Sequence, residues 1–373
     1  MPFLFAAALD SSCPAIAGGT RIDQLDRCGH YARWEEDVEQ ARALGVDALW
    51  YGPPYYRTHL APDHHDFTCV EEPLLRLRAL GIDVIAELCR FGVPSWLAGF
   101  GDPAFPVLFA DHARAFARRF PWVRCFTPVS ETLACASRSA LTGEWNDAAR
   151  DEGTFVRVLR NLCLAHELAV EAILAERPDA VFVHRETLPA APAGRPDGAL
   201  RWSAVRPLAL DLMLGHELAP GAGAFLQAHG VPSNELSYFR ERRAEGRRWL
   251  AVSDAALDAA GRSELAAGCI ERYGAPLLLA AALPAPEDAA AHLRDECERT
   301  LALRAALARV HGFAWPALLD HVGWERGASV RGNAVRGEGL LTMSREHSRA
   351  GHAFQELARR WGPAFRVPLA AQR

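Results

Sequence analysis

Arg124–Ala136 reads "RCFTPVSETLACA". Cys125–Ser130 is a short β-rich run, and it delivers one acid, Glu131, at its C-terminal tip among small polar residues. A lone carboxylate at a strand tip is common where successive strands point side chains toward a shared mouth. The neighbouring segments therefore decide what Glu131 is.

Working outward from this run, short apolar stretches alternate with long helical patterns. The expected strands are 3–9, 48–53, 83–89, 125–130, 180–186, 248–253, 276–283 and 313–319. Between them, "WEEDVEQARALG" has acids in its first turn and a closing Gly45, as helix-dipole and C-cap chemistry prefer. "FPVLFADHARAFARRF" and "TFVRVLRNLCLAHELAVEAILAE" carry apolar stripes at three-and-four spacing. "EDAAAHLRDECERTLALRAALARV" follows the seventh strand, and "SREHSRAGHAFQELARRW" closes the series. Eight βα units in series predict a single α/β domain over 1–373, a (β/α)8 TIM barrel. A doubly wound sheet is the alternative, but no glycine-rich phosphate turn follows the first strand. The least regular part, about 188–247, reads as an elaborated region after the fifth strand.

In such a barrel chemistry sits at the C-terminal strand ends. Those positions hold Asp10, Tyr51, Cys89 and Arg90, Glu131, His184 and Glu186, Ser253 and Asp254, Ala281, and Asp320 and His321.

Composition narrows the chemistry. The 373 residues are half hydrophobic and carry a formal charge of −5, and no basic run is interleaved with aromatics, so a nucleic-acid partner is not expected. All 41 basic residues are arginines; without lysine no Schiff base can form on the chain. The nine cysteines are dispersed without a CxxC pair, which predicts free thiols in a reducing, cytoplasmic setting. "MPFLFAAALD" lacks a basic start and turns polar, so it reads as a first strand and not a signal peptide. No apolar window is long enough to span a membrane.

With those residues in hand, the sequence resembles family 1 glycoside hydrolases, the retaining β-glycosidases. Within that group it resembles the glycosidase-like domain that some bacteria fuse to a dTDP-4-dehydrorhamnose reductase. The carriers, in order, are "DQLDRCGHYARWEEDVEQARALGVDALWY", "GIDVIAELCRFGVPSWL", "FTPVSET", "ERYGAPLLLAAALP" and "GFAWPALLDHVGWERG". The resemblance places the family's acid/base glutamate on Glu131. Its preceding asparagine falls on Ser130, the third-strand histidine on Arg90, the second-strand arginine on Trp50 and the nucleophilic glutamate on Ala281. Retention requires two carboxylates about 5–5.5 Å apart. Alanine cannot attack, so the resemblance implies an altered site and not ordinary double displacement.

A second carboxylate is available on "VFVHRETLP": His184 and Glu186 share one face of the fifth strand. If that face looks inward, Glu186 partners Glu131, and two acids in a dry pocket split into an acid and a base. The alternative is a structural ion pair of Glu186 with Arg90 or Arg185. Arg90, Ser130, His184, Asp254, Trp50, Tyr51, Trp315, Asp320, His321 and Trp324 complete the expected ligand-contacting set. For Asp254, Asp320 and His321 the stronger reading is a loop-capping or surface group, and the alternative for Trp315 and Trp324 is core packing. "PDHHDF" (Pro62–Phe67) has adjacent histidines without a carboxylate-spaced partner, so no metal and no cofactor are expected. Three functions remain open: single-step acid/base chemistry on a sugar-like or anionic small molecule, a non-catalytic homologue (pseudoenzyme) binding a ligand or partner protein, or a β-glycosidase with a relocated nucleophile. Glu287 and Asp288 are the nearest candidates for that last role.

Overall fold

The computed structural model describes residues 3–16, 19–188, 200–242, 247–253, 259–281, 289–323 and 335–362. Eight parallel strands close into a barrel: β1 (Leu4–Ala8), β2 (Ala48–Tyr51), β3 (Asp83–Cys89), β4 (Cys125–Val129), β5 (Val181–Thr187), β6 (Arg247–Ser253), β7 (Leu277–Ala280) and β8 (Val310–Trp315). Each strand pairs with its neighbours in chain order, and β8 closes on β1 with Leu4 opposite Gly312. The expected barrel is therefore present. Bounds differ most at β7, which ends at Ala280, and at β8, which starts three residues earlier than expected and ends at Trp315.

The outer layer holds α1 (His30–Leu44), α2 (Thr68–Leu80), α3 (Phe105–Arg119), α4 (Thr132–Ala140), α5 (Glu152–Glu176), α6 (Ala259–Tyr273), α7 (Ala289–Ala306) and α8 (Arg349–Trp361). Helix α1 begins earlier than the acids of its sequence suggest. Its backbone breaks at Arg33 (φ −131°), so Glu35–Asp37 open the straight segment that follows. Gly45 closes it in the left-handed conformation (φ 87°), returning its N–H to Ala41 and Arg42. After β5, the described part of the elaborated region is helical: Trp202–Val205, Leu208–Met213, Ala222–Ala228 and Ser233–Glu241. Buried Asp211 ties this region to α6 through Arg272 (2.9 and 2.8 Å) and Tyr273 (2.8 Å).

Two apolar shells follow from the period-two alternation of the strands. The inner one contains Leu4, Ala6, Ala8, Ala48, Trp50, Ile85, Cys125, Val181, Val183, Trp249, Ala251, Leu278 and Ala314. Its many alanines leave room that the indoles of Trp50 and Trp249 fill. The odd residues of β5 thus face the barrel axis, and the even ones face the helices.

Candidate active site at the strand ends

The strand-end face gathers charges at one point. Arg90, just beyond β3, donates from Nε to Asp10 (2.9 Å) and from Nη1 to Glu131 (2.9 Å) and Ser130 Oγ (3.3 Å). Its Nη1 also lies 3.5 Å from Glu87. Arg185, from β5, donates to the other side of the group: Nη1 to Glu87 (3.1 Å), with Nε 3.9 Å from Glu131. Ser11 Oγ donates to Glu87 Oε2 (3.1 Å). Three carboxyl groups thus share two guanidiniums. Beneath them Trp50 donates to Thr127 Oγ1 (3.1 Å), which donates to the Val183 carbonyl (2.7 Å), and the Arg185 guanidinium sits 5.5 Å over the Trp50 ring.

Backbone geometry sets these positions. Glu131 is a non-glycine residue in the left-handed region (φ 51°, ψ 51°), at the sharp turn from β4 into α4. Its N–H donates to the Arg185 carbonyl (2.8 Å), which fixes the turn against β5. Phe91, next to Arg90, is also left-handed (φ 64°), with its ring 4.7 Å from Trp145. Left-handed backbone costs an L-residue roughly 1–2 kcal/mol, so both turns are held by their surroundings. At Gly52 a Cβ would lie 1.7 Å from the Glu87 carbonyl oxygen, so only glycine lets the chain after β2 pass this close to β3.

Electrostatics follow from the pairing. Burial opposes the charge on Glu131, but Arg90 and then Arg185 outweigh it and hold its carboxyl below the usual range. Asp10 behaves alike: burial raises it, while Arg90 and His321 bring it down. Burial opposes the charge on Arg90, yet Glu131, Asp10 and Glu87 push its pKa up. Glu131 is therefore a carboxylate at neutral pH, not a stored proton.

The even residues of β5 correct the sequence reading. Glu186 does not face the axis beside Glu131. Its Oε1 accepts from the Thr132 N–H (2.8 Å) and its Oε2 from the Leu133 N–H (3.4 Å), capping the first turn of α4. Burial pushes its pKa up to about 8. Nor does it pair with Arg90 or Arg185, whose partners are Glu131, Glu87 and Asp10. His184 likewise faces the helices and stacks on His166 at 4.6 Å. Tyr51 is turned away from the axis and buried, its hydroxyl 3.1 Å from His30 Nε2. Trp315 is fully covered and donates to the Glu338 carbonyl (2.9 Å). Asp320 accepts from the Gly339 N–H (2.9 Å), as a loop cap does. His321 lies 4.0 Å from Glu338. Ala281 belongs to the outer shell, whereas Ala280 packs on the inner one. Both are alanines, so β7 and its described end supply no carboxylate. Asp254, Trp324, Glu287 and Asp288 lie outside the described residues.

Arg90, Glu131, Ser130 and Trp50 are thus brought together, joined by Asp10, which the sequence reading placed at a strand end without a role, by Arg185, which it offered only as a partner of Glu186, and by Glu87, which it did not name. Glu87 had a signal: it is the one acid inside the apolar run "VIAELC", in step with inward-facing Ile85.

No protein-family model matches the chain. A 75-residue stretch is 33% identical to the 5'/3'-nucleotidase SurE of Yersinia pestis, covering 20% of this chain and 29% of that protein. The chain thus spans under a third of the curated relatives it matches. Solved structures are similar over the full length. The family 1 β-glucosidase of Thermotoga maritima superposes with a TM-score of 0.76 at 15% identity, over 96% of this chain and 97% of that one. The Thermotoga maritima β-glucosidase complex with cyclophellitol gives 0.77 at 16% identity with the same coverage. The fold of this chain is that of the family 1 β-glucosidases, a (β/α)8 barrel.

Proposed function

We propose that the strand-end face is an altered glycosidase-type site that binds a sugar-like or otherwise polar small molecule and carries out single-step acid/base chemistry on it, with Glu131 as the proton acceptor. The observation that carries this reading is Glu131 itself: a strained, left-handed carboxylate at a strand tip, paired with a recessed arginine. Strained residues concentrate at functional sites because the surrounding structure must hold them there. The retained charge suits a base, in hydrolysis by activated water, elimination or rearrangement. It does not suit a general acid at neutral pH.

Arg90 is the proposed ligand anchor. Its Nη2 takes no hydrogen-bond acceptor among the described residues, which leaves a donor for an anionic or hydroxyl-bearing group. No cofactor is part of the proposal, and the dispersed free thiols support a cytoplasmic setting.

A second reading, a ligand-binding homologue without chemistry, is favoured by the same ion pairs, because they already satisfy Glu131. The two separate experimentally. Glucose, glucuronate and glucose 1-phosphate, with their β-linked aryl and alkyl derivatives, would be screened for binding by saturation-transfer NMR and for conversion by mass spectrometry. Glu131→Gln is expected to bind a converted compound within about threefold of wild type and to lose about 10²–10⁴-fold in turnover, the usual contribution of a general base. Unchanged turnover in that variant removes Glu131 from the chemistry, whereas binding without conversion in wild type supports the non-catalytic reading instead.

A further inference from the structure

Away from the Arg90–Glu131 group, three histidines come together. His59 belongs to the short strand His59–Ala61, His65 to its antiparallel partner His64–His65, and His112 to the middle of α3. His59 and His112 are completely buried and His65 half-buried. The rings lie side by side: His59 and His65 stack at 4.4 Å, His59 and His112 at 5.4 Å, and His65 and His112 at 5.4 Å.

The hydrogen-bond inventory is incomplete here in a specific way. Both ring nitrogens of His112, and Nε2 of His65, are buried without any hydrogen-bond partner. Buried polar atoms are nearly always satisfied, and an orphan points to a group that belongs there. His59 is satisfied: its Nε2 lies 3.1 Å from the Pro62 carbonyl, which fixes the proton on that nitrogen, and its Nδ1 lies 3.1 Å from the Tyr55 hydroxyl. Nδ1 therefore carries the lone pair, which accepts from the Tyr55 hydroxyl and would exchange that donor for the metal. A histidine oriented by a carbonyl on its far nitrogen is the usual outer support of a metal ligand.

From this geometry we infer that His59, His65 and His112 form a binding site for a first-row transition dication, zinc being the best fit, that ties the 59–65 hairpin to α3. One nitrogen from each ring already lies within 4.8 Å of the others. Zinc–nitrogen bonds of about 2.0–2.1 Å in a tetrahedron put the nitrogens about 3.4 Å apart. The rings are stacked, at 26° for His59 and His65 and 13° for His59 and His112, so metal binding requires them to turn their planes toward a common point. Three imidazoles leave a fourth position for water.

The test uses the full chain, stripped with a chelator, dialysed and titrated with Zn²⁺ by calorimetry and with Co²⁺ by visible absorption. One equivalent should bind, Co²⁺ should give the d–d bands of a four-coordinate nitrogen site, and Zn²⁺ should raise the melting temperature. His65→Gln, at the half-buried ligand, should weaken binding by more than the roughly 10–100-fold that loss of an outer-shell partner costs. His112→Gln should do the same and serves as a second arm if it folds. The inference is overturned if no stoichiometric binding occurs, or if His65→Gln binds like wild type, which would place the metal on other histidines. Neither outcome bears on Glu131, so this inference stands or falls apart from the proposed function.

Discussion

At the residue scale, Arg90 decides the state of the strand-end face. Its side chain is 9% exposed, and it answers to Asp10 and Glu131, themselves 23% and 13% exposed. Removing it strands carboxylates in a nearly dry site. Arg90→Leu is expected to cost about 3–5 kcal/mol at pH 7, the usual penalty for breaking a buried pair from one side. The pH dependence has a definite sign. Glu131 and Asp10 have folded pKa values held below their unfolded ones, so their contribution is present above about pH 4 and disappears as pH falls through the folded values. In Arg90→Leu the carboxyls protonate at higher pH, and the difference from wild type should shrink on acidification. Urea unfolding of both proteins at pH 7 and pH 3.5 measures it. A difference that does not change with pH would mean that Arg90 acts through packing alone.

At the scale of elements, the contact between β5 and α4 positions the catalytic candidate. Glu186 caps the helix that begins directly after Glu131, so it supports the strained turn and does not share its mouth. Its raised folded pKa, about 8, gives a contribution that is full below about pH 4.5 and is lost as pH rises to 8. Glu186→Gln should remove that slope: relative to wild type, the variant gains stability between pH 5 and pH 8. Chemical denaturation across this range checks the point, and a parallel pair of curves would show that Glu186 is ionised throughout. The sequence showed that His184 and Glu186 share a face, because alternation is a property of the strand itself. It did not show which face, since β5 is buried on both sides and its apolar pattern is continuous around the charged residues. Arg185 is the inward residue because small inner-shell neighbours and the flat Trp50 ring leave space for a guanidinium there. That space is created by distant strands, and no local pattern encodes it. The same holds for the three histidines: His59 and His65 are near in sequence, but His112 arrives from another βα unit.

For the whole molecule, the eightfold alternation was legible because each βα unit carries its own strand run and helix stripe. The lack of a carboxylate at the end of β7 was legible too, because residues 280–282 are all alanine whichever one takes the inward place. A covalent glycosyl intermediate therefore has no attacking carboxylate on β7. We expect negligible hydrolysis of aryl β-glucosides and no stoichiometric adduct with 2-fluoro glycosides by intact-protein mass spectrometry. An adduct on any carboxylate would show that a nucleophile reaches the mouth from another segment. Ala281→Glu alone should restore little, since Ala281 sits in the outer shell and Trp50 occupies the inner position beneath Glu87 and Arg185.

The indoles of Trp50 and Trp249 also govern traffic. They fill the barrel axis below the charged layer, so the axis is a packed core and not a channel. A ligand of the proposed site therefore comes and leaves on the strand-end side, and none passes through the barrel to reach Glu131.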